Sequence, residues 1–167
     1  PETLALPTDR PRPELQSFAG AQQRFELPLE LSEQLKNLTR QESCSLFMTL
    51  LTAFQILLYY YSHQEQFTVG TPVTGRSQLA TEDLIGFFVN TVVIRGELAG
   101  NPSFRELLAR VRETCLGAYA NQDVPFAKVV EALQPQRDLS QSPLFQVWFT
   151  MVESPLDVLC QQLIGMA

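Results

Sequence analysis

A chain of 167 residues, 45% of them hydrophobic, has enough apolar material to close a core as one ordinary domain or as one lobe of a larger one, which excludes a disordered chain. A net charge of −6 and an isoelectric point near 4.8 argue against nucleic acid or an anionic membrane surface as partner, because no basic face offsets phosphate charge. Three cysteines, Cys44, Cys115 and Cys160, lack CxxC spacing, so neither a disulfide framework nor a metal site is expected, and a reducing, cytoplasmic setting fits.

The chain begins without Met and reads as a fragment; its proline-rich start lacks the apolar core of a secretory signal. In residues 1–13, Pro7, Pro11 and Pro13 fix φ and bias their predecessors to extended conformations, which predicts a stiff connector. Residues 24–29 (RFELPL) alternate polar and apolar and predict a short strand. Ser32 then caps a helix with Leu31, Leu35 and Leu38 on one face. Ser45 is the N-cap predicted for a central helix over 46–61, apolar nearly all round and packed on several sides. Interrupted by Thr49, Thr52 and Gln55, that run falls short of the ~20 residues a membrane span needs. The polar turn after it holds His63, which has no acid or nucleophile at a catalytic spacing and reads as solvated.

Residues 67–69 predict a strand running into GTPVTGRS over 70–77. This fits the phosphate-loop pattern superficially, but Pro72 removes a donor and only a brief helical stretch follows, so nucleotide binding is set aside. Arg76 remains as a fixed cation beside the next strand, with Glu82 or Asp83 as surface partners. Residues 85–95 (IGFFVNTVVIR) predict the buried strand around which the chain is organised, and Gly86 at its start permits a bulge or a close backbone approach. Asn90 is the anomaly in that strand. A buried polar side chain without partners costs about 1–3 kcal/mol, so Asn90 either ties down backbone or faces a wet cavity.

Ser103 and Glu106 predict a capping box, with Asn101 as the alternative cap, for a helix carrying Phe104, Leu107, Leu108, Val111, Cys115 and Tyr119 at helical spacing. A turn over 121–126 leads into a short helix whose Phe126, Val129, Val130 and Leu133 share a face, which makes Phe126 a packing residue; Pro135 stops it. Residues 137–143 predict a loop, and 144–152 (LFQVWFTMV) a second buried strand with Trp148.

Together these segments resemble the C-terminal half of a condensation domain of nonribosomal peptide synthetases. Three motifs carry the resemblance. The pattern (I/V)GxFVNTxxxR falls at 85–95 and ends in Arg95; (H/N)QDxPFE falls at 121–127 with Gln122, Asp123, Pro125 and Phe126; RDxSxxPL falls at 137–144 with Arg137, Asp138, Ser140 and Pro143. Ala127 stands where the second motif has glutamate.

The resemblance implies an α/β (α+β) class, one lobe of a chloramphenicol acetyltransferase-like two-lobed fold, with a mixed sheet packed with helices. Residues 1–13 would be the interlobe connector, 14–154 an incomplete C-terminal lobe, and 155–167 a divergent tail. It implies amide formation between carrier-bound aminoacyl and peptidyl thioesters in a tunnel between the lobes, with Asn90, Arg76 and Gly86 as tunnel candidates and the remaining motif residues structural. Implied partners are the N-terminal lobe of the same domain, peptidyl and aminoacyl carrier proteins, and an adenylation domain. No cofactor is expected on the chain itself; phosphopantetheine belongs to the carriers. The family's HHxxxDG motif does not occur in the chain, so no catalytic residue is assigned and inactivity alone is expected. Two alternatives stand beside this: a non-catalytic module that docks a carrier or neighbouring domain, or part of an epimerisation or cyclisation domain.

Overall fold

The computed structural model describes residues 3–15, 20–75, 84–135, 138 and 140–152. Arg76, Glu82, Asp83, Arg137 and the tail over 155–167 lie outside the described residues. The elements run α1 (Leu29–Gln41), α2 (Leu46–Ser62), β1 (Gln66–Val73), β2 (Asn90–Glu97), α3 (Phe104–Ala120) and α4 (Phe126–Leu133).

Helix α1 starts immediately after Pro28, which ends the extended chain before it and cannot continue a helix backwards for want of an N–H. Ser32 is therefore inside the first turn and not its cap: its backbone N–H and its hydroxyl both donate to the Pro28 carbonyl, at 3.0 and 3.1 Å. The expected strand over 24–29 does not form either, and 20–28 is exposed coil. Alternation alone does not make a strand without a ladder partner to satisfy its backbone.

Helix α2 is capped as the sequence dictates, with Ser45 Oγ accepting from the Met48 N–H at 3.2 Å. It ends at His63, whose left-handed φ of 56° lets its N–H reach the Tyr59 carbonyl at 2.8 Å. Its buried face joins Met48, Leu51 and Leu58 to the polar Thr49, Thr52 and Gln55. The two threonine hydroxyls return to the i−4 carbonyls of Ser45 and Met48. Gln55 is fully buried, and neither end of its amide has a hydrogen-bond partner. The opposite face, with Ile56, Leu57, Tyr60 and Tyr61, is exposed, so α2 is packed on one side and not all round.

β1 and β2 pair antiparallel from Gln66↔Glu97 to Val73↔Asn90. Gly70 links this hairpin to a third segment: its N–H donates to the Val147 carbonyl at 3.0 Å and its carbonyl accepts from the Phe149 N–H at 2.9 Å, a parallel bridge at Trp148. A Cβ on Gly70 would run into the Phe145 ring, so the third segment closes down only on glycine. These bonds also use Gly70's backbone in the sheet, which removes it from any phosphate-loop role. The described sheet is two-stranded and antiparallel, with one isolated parallel bridge to 144–152, which is no buried strand: apart from the bridge it is irregular, and Trp148 is 49% exposed.

The core lies between the sheet and α2 and α3, where Leu51, Phe67, Val69, Ile94, Leu107, Leu108, Val111 and Cys115 are buried. Both halves of the Ser103–Glu106 capping box form, and the bonds from Ser103 hold the Glu106 carboxyl below its usual range. Three arginines of α3 fasten loops. Arg110 donates to the Glu97 and Ala99 carbonyls, Arg112 to the Ser43 carbonyl, and Arg105 pairs with Glu42 at 2.9 Å. Leu4 adds to the core, tied by its N–H to Gln146 Oε1 at 2.8 Å.

The strand expected over 85–95 is half right. It begins at Asn90, and the residues before it are out of the core: Ile85 is 105% and Phe87 89% exposed. Among the described residues the β1–β2 register ends at Val73↔Asn90. Gly75 turns the chain with φ of 57°, and a Cβ there would collide with the Phe88 carbonyl.

Candidate functional site

Asn90, the first residue of β2, does what its chemistry permits with every group it has. Its Nδ2 donates to the carbonyls of Gln122 and Val124 at 2.7 and 2.8 Å, and its Oδ1 accepts from the Phe126 N–H at 3.1 Å. One side chain therefore fixes the whole turn between α3 and α4. Of the two alternatives open in the sequence, backbone tethering is what these bonds display. The turn needs such a clamp because Pro125, at the α4 N-cap, makes no side-chain cap bond and contributes no N–H.

The second motif is thereby joined to the first in space. Gln122 offers its carbonyl to Asn90, Pro125 starts α4, and Asp123 is exposed. Phe126 is half-buried, with its ring 5.6 Å from Phe145. It is a packing residue at the edge of the core, since no residue of α4 is fully buried.

The third motif forms a tight loop. Asp138 accepts from the Ser140 N–H at 2.8 Å and from the Gln141 side chain at 2.7 Å, and hydrogen bonds from Ser140 hold its carboxyl below the usual range. Arg12 reaches across from the N-terminal segment to the Ser140 carbonyl at 3.4 Å. Pro143 offers its carbonyl to the Phe145 N–H at 2.9 Å, next to the Phe145 and Trp148 rings stacked 5.2 Å apart. Arg95 sits far from both, at the other end of the ladder, paired with Glu97 at 3.0 Å and Gln66 at 2.9 Å. Gly86 is exposed, and a Cβ on it would press on the Phe88 ring.

A cavity of about 420 Å³ opens beside the Asn90 turn. Its described lining comes from the first turn of α2 (Phe47), the end of β1 and the residue after it (Thr71, Pro72, Val73, Thr74), the end of α3 and the turn after it (Tyr119, Gln122), and Thr150 and Met151. Phe47 is braced by Phe149, ring centroids 5.3 Å apart, and Phe149 by Phe54 at 5.4 Å. Burial pushes the Tyr119 phenol up to about 12 and the Cys115 thiol to about 11, so both stay protonated at neutral pH. Sequence reasoning took Tyr119 as a core residue and missed the cavity. Periodicity marks the inward face of a helix but not which end of that face is left open. A larger depression of about 1020 Å³ lies at the opposite end of the ladder, lined by His63, Gln66 and the already paired Arg95. Among the described residues no cluster of three metal-ligating side chains occurs, and no single helix is long and apolar enough to cross a membrane.

Comparison with known proteins bears on this arrangement. The chain is 56% identical over 154 residues to one of the linear gramicidin synthase proteins of Brevibacillus parabrevis, matching 92% of the chain and 2% of that protein. It is 42% identical over 159 residues to malpibaldin synthetase of Mortierella alpina, 95% of the chain and 3% of the relative. The chain therefore spans only a few per cent of these relatives. Among solved structures, a four-domain nonribosomal peptide synthetase in its holo form with AMP and glycine superposes with a TM-score of 0.89 at 31% identity, over 94% of this chain and 12% of that one. Mixed helices and sheet in one lobe of the chloramphenicol acetyltransferase-like fold agree with that superposition. The family model described as the condensation domain matches residues 1–162, and the chain belongs to the condensation-domain family.

Proposed function

We propose that this chain is the C-terminal lobe of a condensation domain that joins carrier-bound aminoacyl and peptidyl thioesters by an amide bond in nonribosomal peptide synthesis. The observation that carries the reading is the edge at Asn90: the FVNT segment clamps the QDVPF turn, and around it Ile85, Phe87, Val89, Val124 and Met151 stand exposed. Apolar side chains gathered at one edge suit a surface that a second lobe covers. In that assembly Asn90, Gly86 and Arg76 border the tunnel, and the partners are the N-terminal lobe, carrier proteins bearing phosphopantetheine, and an adenylation domain, all in the cytoplasm.

The chemistry is attack of the acceptor's amine on the donor's thioester carbonyl, forming C–N, breaking C–S and releasing the donor's pantetheine thiol. This lobe contributes orientation. Holding both reactants at about 3–3.5 Å can account for roughly 7–11 kcal/mol of the barrier, and one tunnel wall cannot do it alone. The chain has no HHxxxDG, and the exposed His63 lies at the opposite end of the ladder. The test incubates donor- and acceptor-loaded carriers with the chain, with a two-lobed domain containing it, and with buffer. Dipeptidyl carrier, read by mass spectrometry, is expected from the two-lobed domain alone. Product from the isolated chain that disappears in His63→Ala would overturn the proposal, and no product from either would favour a docking module.

A further inference from the structure

Residues 3–6 are held without a ladder. Leu4 is buried and Leu6 partly buried against the core, while Thr3 and Ala5 are exposed, the alternation of an extended chain. Their backbone is met on both sides by amide side chains, where a sheet would supply neighbouring strands. On one side Gln64 is bidentate: its Oε1 accepts from the Ala5 N–H at 2.7 Å and its Nε2 donates to the Thr3 carbonyl at 3.2 Å. On the other side Gln146 Oε1 accepts from the Leu4 N–H at 2.8 Å. Resting on the condensation-domain reading, in which residues 1–13 lead in from the second lobe, we infer that Gln64 and Gln146 are positioning residues for amide formation: by gripping residues 3–6 they make the connector part of this lobe and so set how the second lobe is held against the Asn90 edge.

Several observations separate this grip from incidental surface contact. The bonds to Leu4 and Ala5 span 142 and 59 positions of sequence, so each closes a loop that the local chain does not close by itself. A primary amide is the uncharged side chain that presents a donor and an acceptor side by side, which is what the Thr3 carbonyl and the Ala5 N–H together require. Both glutamines also stand on fixed backbone. Gln64 follows the left-handed His63 that ends α2, and its own N–H donates to Ser62 Oγ at 3.2 Å. Gln146 lies between Phe145, whose ring stacks on Trp148, and Val147, whose carbonyl accepts from the Gly70 N–H in β1. A pull on the connector therefore reaches a segment bonded to the sheet. Beyond the grip the connector is stiffened by Pro7, Pro11 and Pro13, and it touches the lobe again where Arg12 donates to the Ser140 carbonyl at 3.4 Å.

The test uses the two-lobed domain with Gln64→Met and Gln146→Met, which keep side-chain length and remove the amide. Gln146→Glu is the conservative control: it keeps the acceptor that Leu4 uses and gives up only the long 3.4 Å bond to the Ser142 carbonyl. Hydrogen exchange at the Leu4 and Ala5 amides is read by mass spectrometry, and kcat and KM are measured for dipeptidyl-carrier formation. Both methionine variants are expected to speed that exchange at least about fivefold with α2 unchanged, and to lower kcat at least about threefold at unchanged KM for the carriers, while Gln146→Glu stays within about twofold of wild type in both. Faster exchange with unaltered kcat would overturn the inference and leave the grip a structural tie. Unchanged exchange, or the same loss in Gln146→Glu as in Gln146→Met, would overturn it as well. A wild-type domain that forms no amide overturns the condensation reading and the effect on rate with it, and the exchange result then still decides the grip.

Discussion

The two ends of the β1–β2 ladder are built from different chemistry. At the Gln66↔Glu97 end, polar groups satisfy one another in view of solvent: Gln66 bonds Glu97 and Arg95, and Arg95 pairs with Glu97. At the Val73↔Asn90 end, one amide makes three hydrogen bonds to the backbone of a neighbouring turn, and apolar side chains such as Ile85, Phe87, Val89 and Val124 stand exposed. The first end is finished as a surface. Among the described residues the second is organised inside and presents apolar side chains outside. Exposed ion pairs are worth little and can be exchanged, whereas a clamp that satisfies three backbone groups cannot be replaced by water at the same geometry.

The largest expected effect comes from breaking the clamp. Asn90→Ala should lower stability by about 1–3 kcal/mol in urea unfolding of the chain, because it strands the Phe126 N–H. Asn90→Asp should cost more than the alanine variant, since a carboxylate would face the Gln122 and Val124 carbonyls that Nδ2 now serves. Equal stability of wild type and Asn90→Ala would mean the turn holds itself.

Gln55 is the amide with the opposite fate, fully buried over Gly96 and Phe67 with no partner at either end. Gln55→Met keeps the length and removes the orphaned groups, so the urea midpoint should rise, by about 1 kcal/mol of stability. A fall in the midpoint would show that the amide is satisfied within the folded chain.

At the polar end, Arg95→Ala should change stability by less than about 1 kcal/mol, with the difference shrinking further in high salt. A loss as large as that of Asn90→Ala would erase the contrast between the two ends.

The smallest effect is a pH slope from the Asp138 loop. Hydrogen bonds from Ser140 lower the folded-state pKa of Asp138, so as pH falls the unfolded chain takes up that proton first. The stability it contributes is complete above the unfolded value of about 3.9 and is lost as pH drops through the lower folded value. Urea midpoints measured across this range should fall less steeply in Asp138→Asn than in wild type.

Where local chemistry suffices, the sequence by itself determined the structure. The Ser45 cap, the Ser103–Glu106 capping box, the helices they start, the stop before Pro135 and the burial of Cys115 all depend on residues within a turn or on one helical period. The three motifs determined the family for the same reason: each is a contiguous string. Tertiary structure decided the rest. Residues 24–29 have strand composition but no ladder partner among the described residues and stay exposed coil, and 85–89 lie outside the β1–β2 ladder. Residues 144–152 were expected to be buried like the hairpin, yet Gly70 admits only one bridge to them and leaves Trp148 half outside. Asn90 could be seen as anomalous from its neighbours alone, but not what it holds, because its partners lie 32 to 36 residues away. The open cavity between Phe47, Tyr119 and Met151 was likewise hidden, since a cavity is a property of how three separately placed elements end and of no single element's pattern.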